Sequence, residues 1–544
     1  MKRILKLTFS TAITGIVLLS SCSKKDAPTP NPNPDPNPTP IVTATDTSTL
    51  KGSAGFLLGF GIDGASMTNG SPYAGIVKHE ANAVTFGYEM KHGAIVQNDG
   101  SLNFTNADAL YNICAAAGLQ VYGHNLCWHT NQNATYLNSL TVGTSVSTAN
   151  LIQNGSFESG ISTNWFTQVS TTIPTAGAFS VDNTNFEDGT QSMQVVVTTP
   201  GPNSYSIQAV NDAFTGTAGN TYKVCFYAKG AGSVKLVMQG TQYDGDITFT
   251  TTANWTKYTW TVTLVAGETA PQVRFNFPAA GTYNIDNVTV NSTAAVALSR
   301  AQIATNIDGA LNTFVTGMCT HYVGKVKAWD VVNEPMTDGN GDLRTNLNTF
   351  NTSGTTDFFL WSQYLGRNYA LKAFQYAKAA DPNALLFVNE YNLESNNSKL
   401  DSLLAYVKEL QTKGAHIDGI GTQMHISINT PYAGIDNAFI KLAASGLKIR
   451  VSELDVRINP NNTAGFTPTD ALLSAQSTMY AYVISSYKKN VPAAQRYGVT
   501  IWGIDDPESW IITSQKSVDN PLLFDANFAK KPAYSGALQA LKAK

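Results

Sequence analysis

From about Lys51 onward, short apolar runs alternate with helical patterns. Eight runs have the length and composition of strands. The first four are "FLLGFGI" from Phe56, "NAVTF" from Asn82, "LQVYGHNLCW" from Leu119 and "VKAWDVVNE" from Val326. The others are "LLFVNEY" from Leu385, "GIGTQMHI" from Gly419, "KIRVSELDV" from Lys448 and "GVTIWGID" from Gly498. Helix-like segments such as "NADALYNICAAAG", "YALKAFQYAKAADP" and "LDSLLAYVKELQTKG" lie between them. Eight strands, each followed by a helix or long loop, predict an α/β fold of the (β/α)8 TIM-barrel type.

One interval breaks this rhythm. From about Ala149 to Asn291 the texture is all-β, with "SMQVVVTT", "TYKVCFYAK", "SVKLVMQG", "KYTWTVTLV" and "QVRFNFPA" separated by Gly, Asn and Thr turns. The pattern predicts a jelly-roll sandwich inserted into a barrel loop, where strand pairing is left intact. The expected divisions are barrel over 46–148, insert over 149–292 and barrel again over 293–544.

Composition narrows the partners. Charged residues are only 13% of 544, and the net charge of −3 with a pI near 6.2 excludes a nucleic-acid footprint. A surface rich in hydroxyls, amides and aromatics suits uncharged polar ligands. Cys114, Cys127, Cys225 and Cys319 form no CxxC pair and read as buried free thiols, with one disulfide as the alternative, and no HExxH-type metal spacing appears.

The chain starts with a basic, then apolar stretch, "MKRILKLTFSTAITGIVLLSSC", too short for a membrane span. It resembles a bacterial lipoprotein leader, implying cleavage after residue 21 and lipidation of Cys22. The linker over 22–45 contains "APTPNPNPDPNPTP", an extended stalk of roughly 40 Å. The expected location is the cell envelope, with a membrane partner through the lipid anchor.

Polar residues collect where the strands end, the face on which barrels place their chemistry. Lys91 follows strand two, and strand three carries His124, Trp128 and His129. Strand four ends at Asn333 and Glu334, and strand six at Gln423 and His425. Strand seven carries Glu453 and Asp455; Trp502 and Trp510 follow in strand eight and its loop. Alternation puts Glu453 and Asp455 on one side of their strand. Two glutamates at opposed strand ends, among amides, His and Trp and without metal ligands, point to glycoside hydrolysis.

These residues also match a family. "WDVVNEP" (Trp329 to Pro335) and "VSELDV" (Val451 to Val456) closely resemble the two signatures of glycoside hydrolase family 10, the retaining endo-β-1,4-xylanases. "GHNLCWH", "TQMHI", "FVNEYNLE" and "TIWGIDDPESWI" resemble it too, in the family's order. The resemblance implies Glu334 as general acid/base, Glu453 as nucleophile and Asn333 on the sugar 2-hydroxyl. His425 would bond Glu453 and be oriented by Asp455, with Glu334 less well served by donors. Lys91, His124, Trp128 and Gln423 would hold sugar on the non-reducing side, walled by Trp502 and Trp510. Tyr391 and Asn392 would serve the leaving group. No catalytic cofactor is implied, and xylan or arabinoxylan is the implied partner. A glucanase of the same barrel type and a surface glycan-binding protein remain alternatives.

One stretch departs from the family. "TFGYEMKH" places Gly87 and Tyr88 where the family has the Glu and Asn that grip the second sugar, and His92 where it has Trp. The insert, opening "NLIQNGSFESG" and closing "YNIDNVTV", resembles carbohydrate-binding modules of families 4 and 22. That resemblance implies either a structural calcium near Glu158 and Asp286 or a hydrogen-bonded pair there without metal. Trp165, Tyr205 and Tyr243 are its candidate ligand walls, each with core packing as the alternative.

Overall fold

The structure, a computed structural model, describes residues 48–171, 175–352 and 354–543. The leader, Cys22 and the linker over 22–45 lie outside the described residues. Eight parallel segments run Leu57–Ile62, Ala83–Phe86, Gln120–Cys127, Ala328–Asn333, Leu385–Glu390, Gly419–Thr422 (resumed at His425–Ser427), Lys448–Arg457 and Arg496–Ile501. Each pairs with its successor, and Gly59 of the first opposite Thr500 of the last closes the barrel. The predicted TIM barrel is therefore the observed one.

Strand four is buried at every position, as expected for a parallel strand covered on both faces. The helix Arg300–His321 shows why the outer ring forms. Ser299 and Gln302 make a reciprocal capping box, and Ile307, Leu311, Phe314, Val315 and Met318 bury one face at three- and four-residue spacing. Each such side chain contributes roughly 1.5–3 kcal/mol relative to exposure. Strand six is not the single run expected: it breaks at Gln423 and Met424, where Met424 takes φ 60°. The break re-aims the two polar side chains flanking Met424.

Inside the barrel, Tyr122, Ala328 and Phe387 pack with Tyr497. Arg450 stacks 3.5 Å over Tyr122 and donates to Thr85 and Thr500 hydroxyls at 2.8 and 2.9 Å. Asp330 accepts from Tyr122 Oη at 2.8 Å and meets His124 Nδ1 at 2.9 Å. This buried polar layer holds the strand ends in position. Gly123 lies directly under the Trp329 ring, which leaves no room for a Cβ.

The interruption is a two-sheet antiparallel sandwich. One sheet orders Tyr243–Thr251, Gly232–Gln239, Val273–Asn276, Ile207–Asn211 and Trp165–Val169. The other orders Thr256–Thr263, Thr221–Gly230, Gly281–Ala297, Ser192–Thr199 and Ala176–Asp182. Val195, Phe226, Leu236, Phe275 and Ile285 fill the space between them. Val142–Val146 pairs with Thr293–Ala297, so the sheet runs beyond both 149 and 292. All four described cysteines are free, three buried and Cys225 half-buried.

Candidate active site

Strand four delivers Asn333 and Glu334 to the rim, and Glu334 takes φ 53°, rare for a residue with a Cβ. One carboxylate oxygen of Glu334 accepts from Trp128 Nε1 at 2.9 Å. The other accepts from Gln423 Nε2 at 3.1 Å, with Asn333 Nδ2 at 3.4 Å. Glu334 is thus not short of donors, which corrects the expectation. Its donors are all neutral.

Glu453 stands in a different field. It is only 5% exposed, its Oε1 accepts from Asn389 Nδ2 at 2.7 Å, and His425 Nε2 faces Oε2 at 3.4 Å. His425 Nδ1 lies 2.8 Å from Asp455 Oδ2, which also accepts from Trp510 Nε1 at 2.9 Å. Burial opposes the charge on His425, yet the Asp455 and Glu453 carboxylates raise its pKa to about 10. Burial likewise opposes ionisation of Glu453. The His425 bond, the charges of His124 and His425 and the Asn389 amide nevertheless lower its pKa to about 2. Lys91 lies in the field of both glutamates, so they differ by the His425 cation facing the Glu453 carboxylate rather than by a count of donors.

Asn389, absent from the sequence-derived set, links them. Its Nδ2 donates to Glu453 and, at 2.8 Å, to Asn333 Oδ1, while its Oδ1 accepts from Ser452 Oγ at 2.6 Å. Its signal was its place at the end of strand five, beside Glu390. That glutamate is fully buried, bonds Met336 N at 2.9 Å and meets Lys399 Nζ at 3.0 Å. Burial pushes its pKa up to about 7, although Lys399 opposes this. Arg344, also missed, donates to the Glu334 carbonyl at 3.0 Å and to Tyr391 Oη at 2.7 Å.

The remaining candidates divide. Lys91 is buried 4.7 Å over the Trp128 ring; burial lowers its pKa, opposed by the charges of Glu453 and Glu334. His124 stands edge-on to Trp502, whose ring covers Gly61. Tyr391 and Asn392 are tied to Asp338 at 2.7 and 3.3 Å. A Cβ on Gly87 would stand 3.2 Å from the Ile62 carbonyl oxygen, and Tyr88 is 49% exposed. His92 is a correction: it turns away from the rim, buried against Phe314 and Trp361, and accepts the Asn133 N–H at 3.0 Å. His129 is half-buried, and desolvation lowers its pKa to about 4.

In the insert, Trp165 is also corrected. It is 4% exposed, packed on Phe157 and Phe275, with its Nε1 given to the Asn154 carbonyl. Tyr205 and Tyr243 are exposed, and Tyr243 bonds Asp246. Asp286 accepts from the amides of Glu187, Asp188 and Asn287 at 2.7–2.9 Å, and Glu158 from Thr190 and Gln191. Lone pairs turned to N–H donors are a poor fit for a cation. Among the described residues no cluster of three or more His, Cys, Asp or Glu is placed to hold a metal.

The family profile described as glycosyl hydrolase family 10 matches residues 48–217 and 290–540, well over half of the chain. The chain belongs to that family. Among the relatives of this family 10 member is an endo-1,4-beta-xylanase A of Cellvibrio japonicus (strain Ueda107). It is 38% identical over 239 residues, which are 41% of this chain and 38% of the relative. An endo-beta-1,4-xylanase, Xyn10C, of Cellvibrio japonicus is 33% identical over 298 residues, 49% of this chain and 48% of the relative. The chain thus spans less than half the length of these curated relatives. The solved native xylanase 10C from Cellvibrio japonicus aligns with TM-score 0.56 and 23% identity over 92% of this chain and 75% of that one, a likeness of fold.

Proposed function

We propose that this family 10 protein is a retaining endo-β-1,4-xylanase. The observation that carries the reading is the unequal pair at the rim: Glu453 beside the His425 cation, and Glu334 among neutral donors. The named xylanases among its relatives support the substrate class. In the first step Glu453 attacks the anomeric carbon while Glu334 gives its proton to the departing glycosidic oxygen. In the second, Glu334 takes a proton from water, which attacks the same carbon and releases Glu453. Asn333, fixed by Asn389, would meet the 2-hydroxyl. Lys91, His124, Trp128 and Gln423 would hold the sugar whose bond is cut, between Trp502 and Trp510, with Tyr391 and Asn392 on the leaving-group side.

The inserted sandwich is read as a glycan-binding module, using exposed aromatics such as Tyr205 and Tyr243. Its Glu158 and Asp286 are read as two carboxylates, each accepting from its own loop donors, without calcium. Lipidation of Cys22 would tether the enzyme to the bacterial envelope, a reading that rests on the leader sequence.

The deciding experiment is product analysis of a soluble form spanning 41–544 on linear xylan, arabinoxylan and mixed-linkage glucan, with Glu453→Gln as blank. A xylo-oligosaccharide ladder released with retained configuration is expected. Gluco-oligosaccharides would move the enzyme to another glycan, and no products would leave only binding.

A further inference from the structure

A cavity of about 630 Å³ opens beside the rim, between the turn after strand two and the helix Thr105–Ala116. Its size falls within the roughly 300–1,000 Å³ of small-molecule pockets. Lys91 lies in the field of both catalytic glutamates, while Tyr88 and Glu89 of the same turn line this cavity. The Lys91 N–H to Tyr88 carbonyl bond of 2.9 Å ties the two sides together. Gln97, Asn103, Asn106 and Ala109 also line it.

The lining is chemically selective. Glu89 is half-buried, and among the described residues its carboxylate receives only a long 3.4 Å bond from the Tyr88 N–H. No Lys, Arg or His is among the described lining residues. Free carboxylate lone pairs and three amides suit sugar hydroxyls, and Tyr88 offers a flat face. A uronate brought here would meet the Glu89 carboxylate, while the cation in the field of Glu89, Lys91, is buried outside the lining.

Building on the xylanase reading, we infer that this cavity is a branch pocket: it receives an uncharged pentosyl side group of the polysaccharide and rejects a uronosyl one. Because Tyr88 lines it and Gly87 precedes Tyr88 in the same turn, the loss of polar side chains at that turn makes room for the branch instead of merely weakening the grip on the backbone.

The test compares kcat/KM on xylo-oligosaccharides of one length that are unbranched, arabinofuranosyl-branched or glucuronosyl-branched. The wild type is expected to favour the arabinosyl branch about tenfold over the unbranched chain, the scale of a few well-placed contacts. Ala109→Trp, on an exposed helix position, fills the cavity and should bring that ratio to about one. Asn106→Trp on the same helix serves if Ala109→Trp fails to fold. Glu89→Gln should raise the glucuronosyl-branched rate relative to the other two. Equal wild-type rates on all three substrates, or a preference that survives in the folded filled variants, would overturn the branch pocket alone. Failure of the wild type to cut any of them would overturn the xylanase reading itself.

Discussion

His425 stands between two carboxylates, with Nδ1 2.8 Å from Asp455 and Nε2 3.4 Å from Glu453. Asp455 is buried and shares the same oxygen with Trp510, so the imidazole is fixed in orientation as well as charge. Without that cation the burial of Glu453 would favour its neutral, non-nucleophilic form. His425→Ala is therefore expected to move the acid limb of the kcat/KM profile upward by about one pH unit or more. A limb that stays in place would show that Glu453 does not depend on His425 for its charge.

The same pair sets limits on stability. Glu453, lowered to about 2 from 4.5, contributes stability that is full above 4.5 and lost as pH falls through about 2. His425, raised to about 10 from 6.5, contributes below 6.5 and loses that contribution as pH rises through about 10. His92 acts with the opposite sign. Burial lowers its pKa from 6.5 to about 3, so between those values the unfolded chain binds the extra proton and stability falls as pH drops. His92→Gln keeps an acceptor for Asn133 and should flatten the decline of Tm between neutral and mildly acid pH. An unchanged slope would assign the acid sensitivity elsewhere.

Asn389 bonds Glu453, Asn333 and Ser452 at once. Asn389→Ala would leave these buried groups unpartnered at about 1–3 kcal/mol each where no water replaces it. The expected result is a lower Tm together with a fall in kcat larger than the rise in KM, because the bonds position the groups that act on the transition state. Steady-state kinetics at saturating substrate reads this, and an unaltered kcat would reduce Asn389 to a packing residue.

Much of this was legible because barrel strands end in a row, so a polar residue at the end of an apolar run points to chemistry. Glu334 and Glu453 stood out in that way. Asn389 sits at an equivalent strand end, but the polar run Glu390, Tyr391 and Asn392 that follows it hides which of these side chains faces the site. His92 was misplaced because a helix begins immediately after Lys91, and one helical step turns the next side chain by about 100°. Trp165 failed for a different reason. Alternation says that one of Trp165 and Phe166 faces inward, but not which; Trp165 packs in the core, and Phe166 is 61% exposed. Two of the donors to Glu334, Trp128 and Gln423, follow strands three and six, so no local pattern around Glu334 could count them.

Glu158 and Asp286 already have amide and hydroxyl donors on their oxygens. Chelation with EDTA is therefore expected to leave Tm unchanged in the full chain, and added calcium to leave it unchanged too. A fall of several degrees that calcium alone restores would instead establish a bound ion, because binding to the folded state stabilises by mass action.

The two glutamates can be separated by the leaving group. A xylan leaving group is an alkoxide that needs a proton, whereas an activated phenol departs without one. Glu334→Ala should lose about 10²–10⁴ in kcat/KM on xylan, the usual span for general acid catalysis. It should lose far less on an aryl xylobioside with an acidic phenol, where the first step no longer needs Glu334. Glu453→Ala should lose activity on both, since no leaving group replaces the nucleophile. Added azide should restore turnover of the aryl substrate by each variant, but with opposite stereochemistry. With Glu334→Ala it intercepts the glycosyl-enzyme and gives the β-azide; with Glu453→Ala it attacks directly in place of the carboxylate and gives the α-azide. Equal losses for both variants on both substrates would overturn the division of roles that the His425 cation implies.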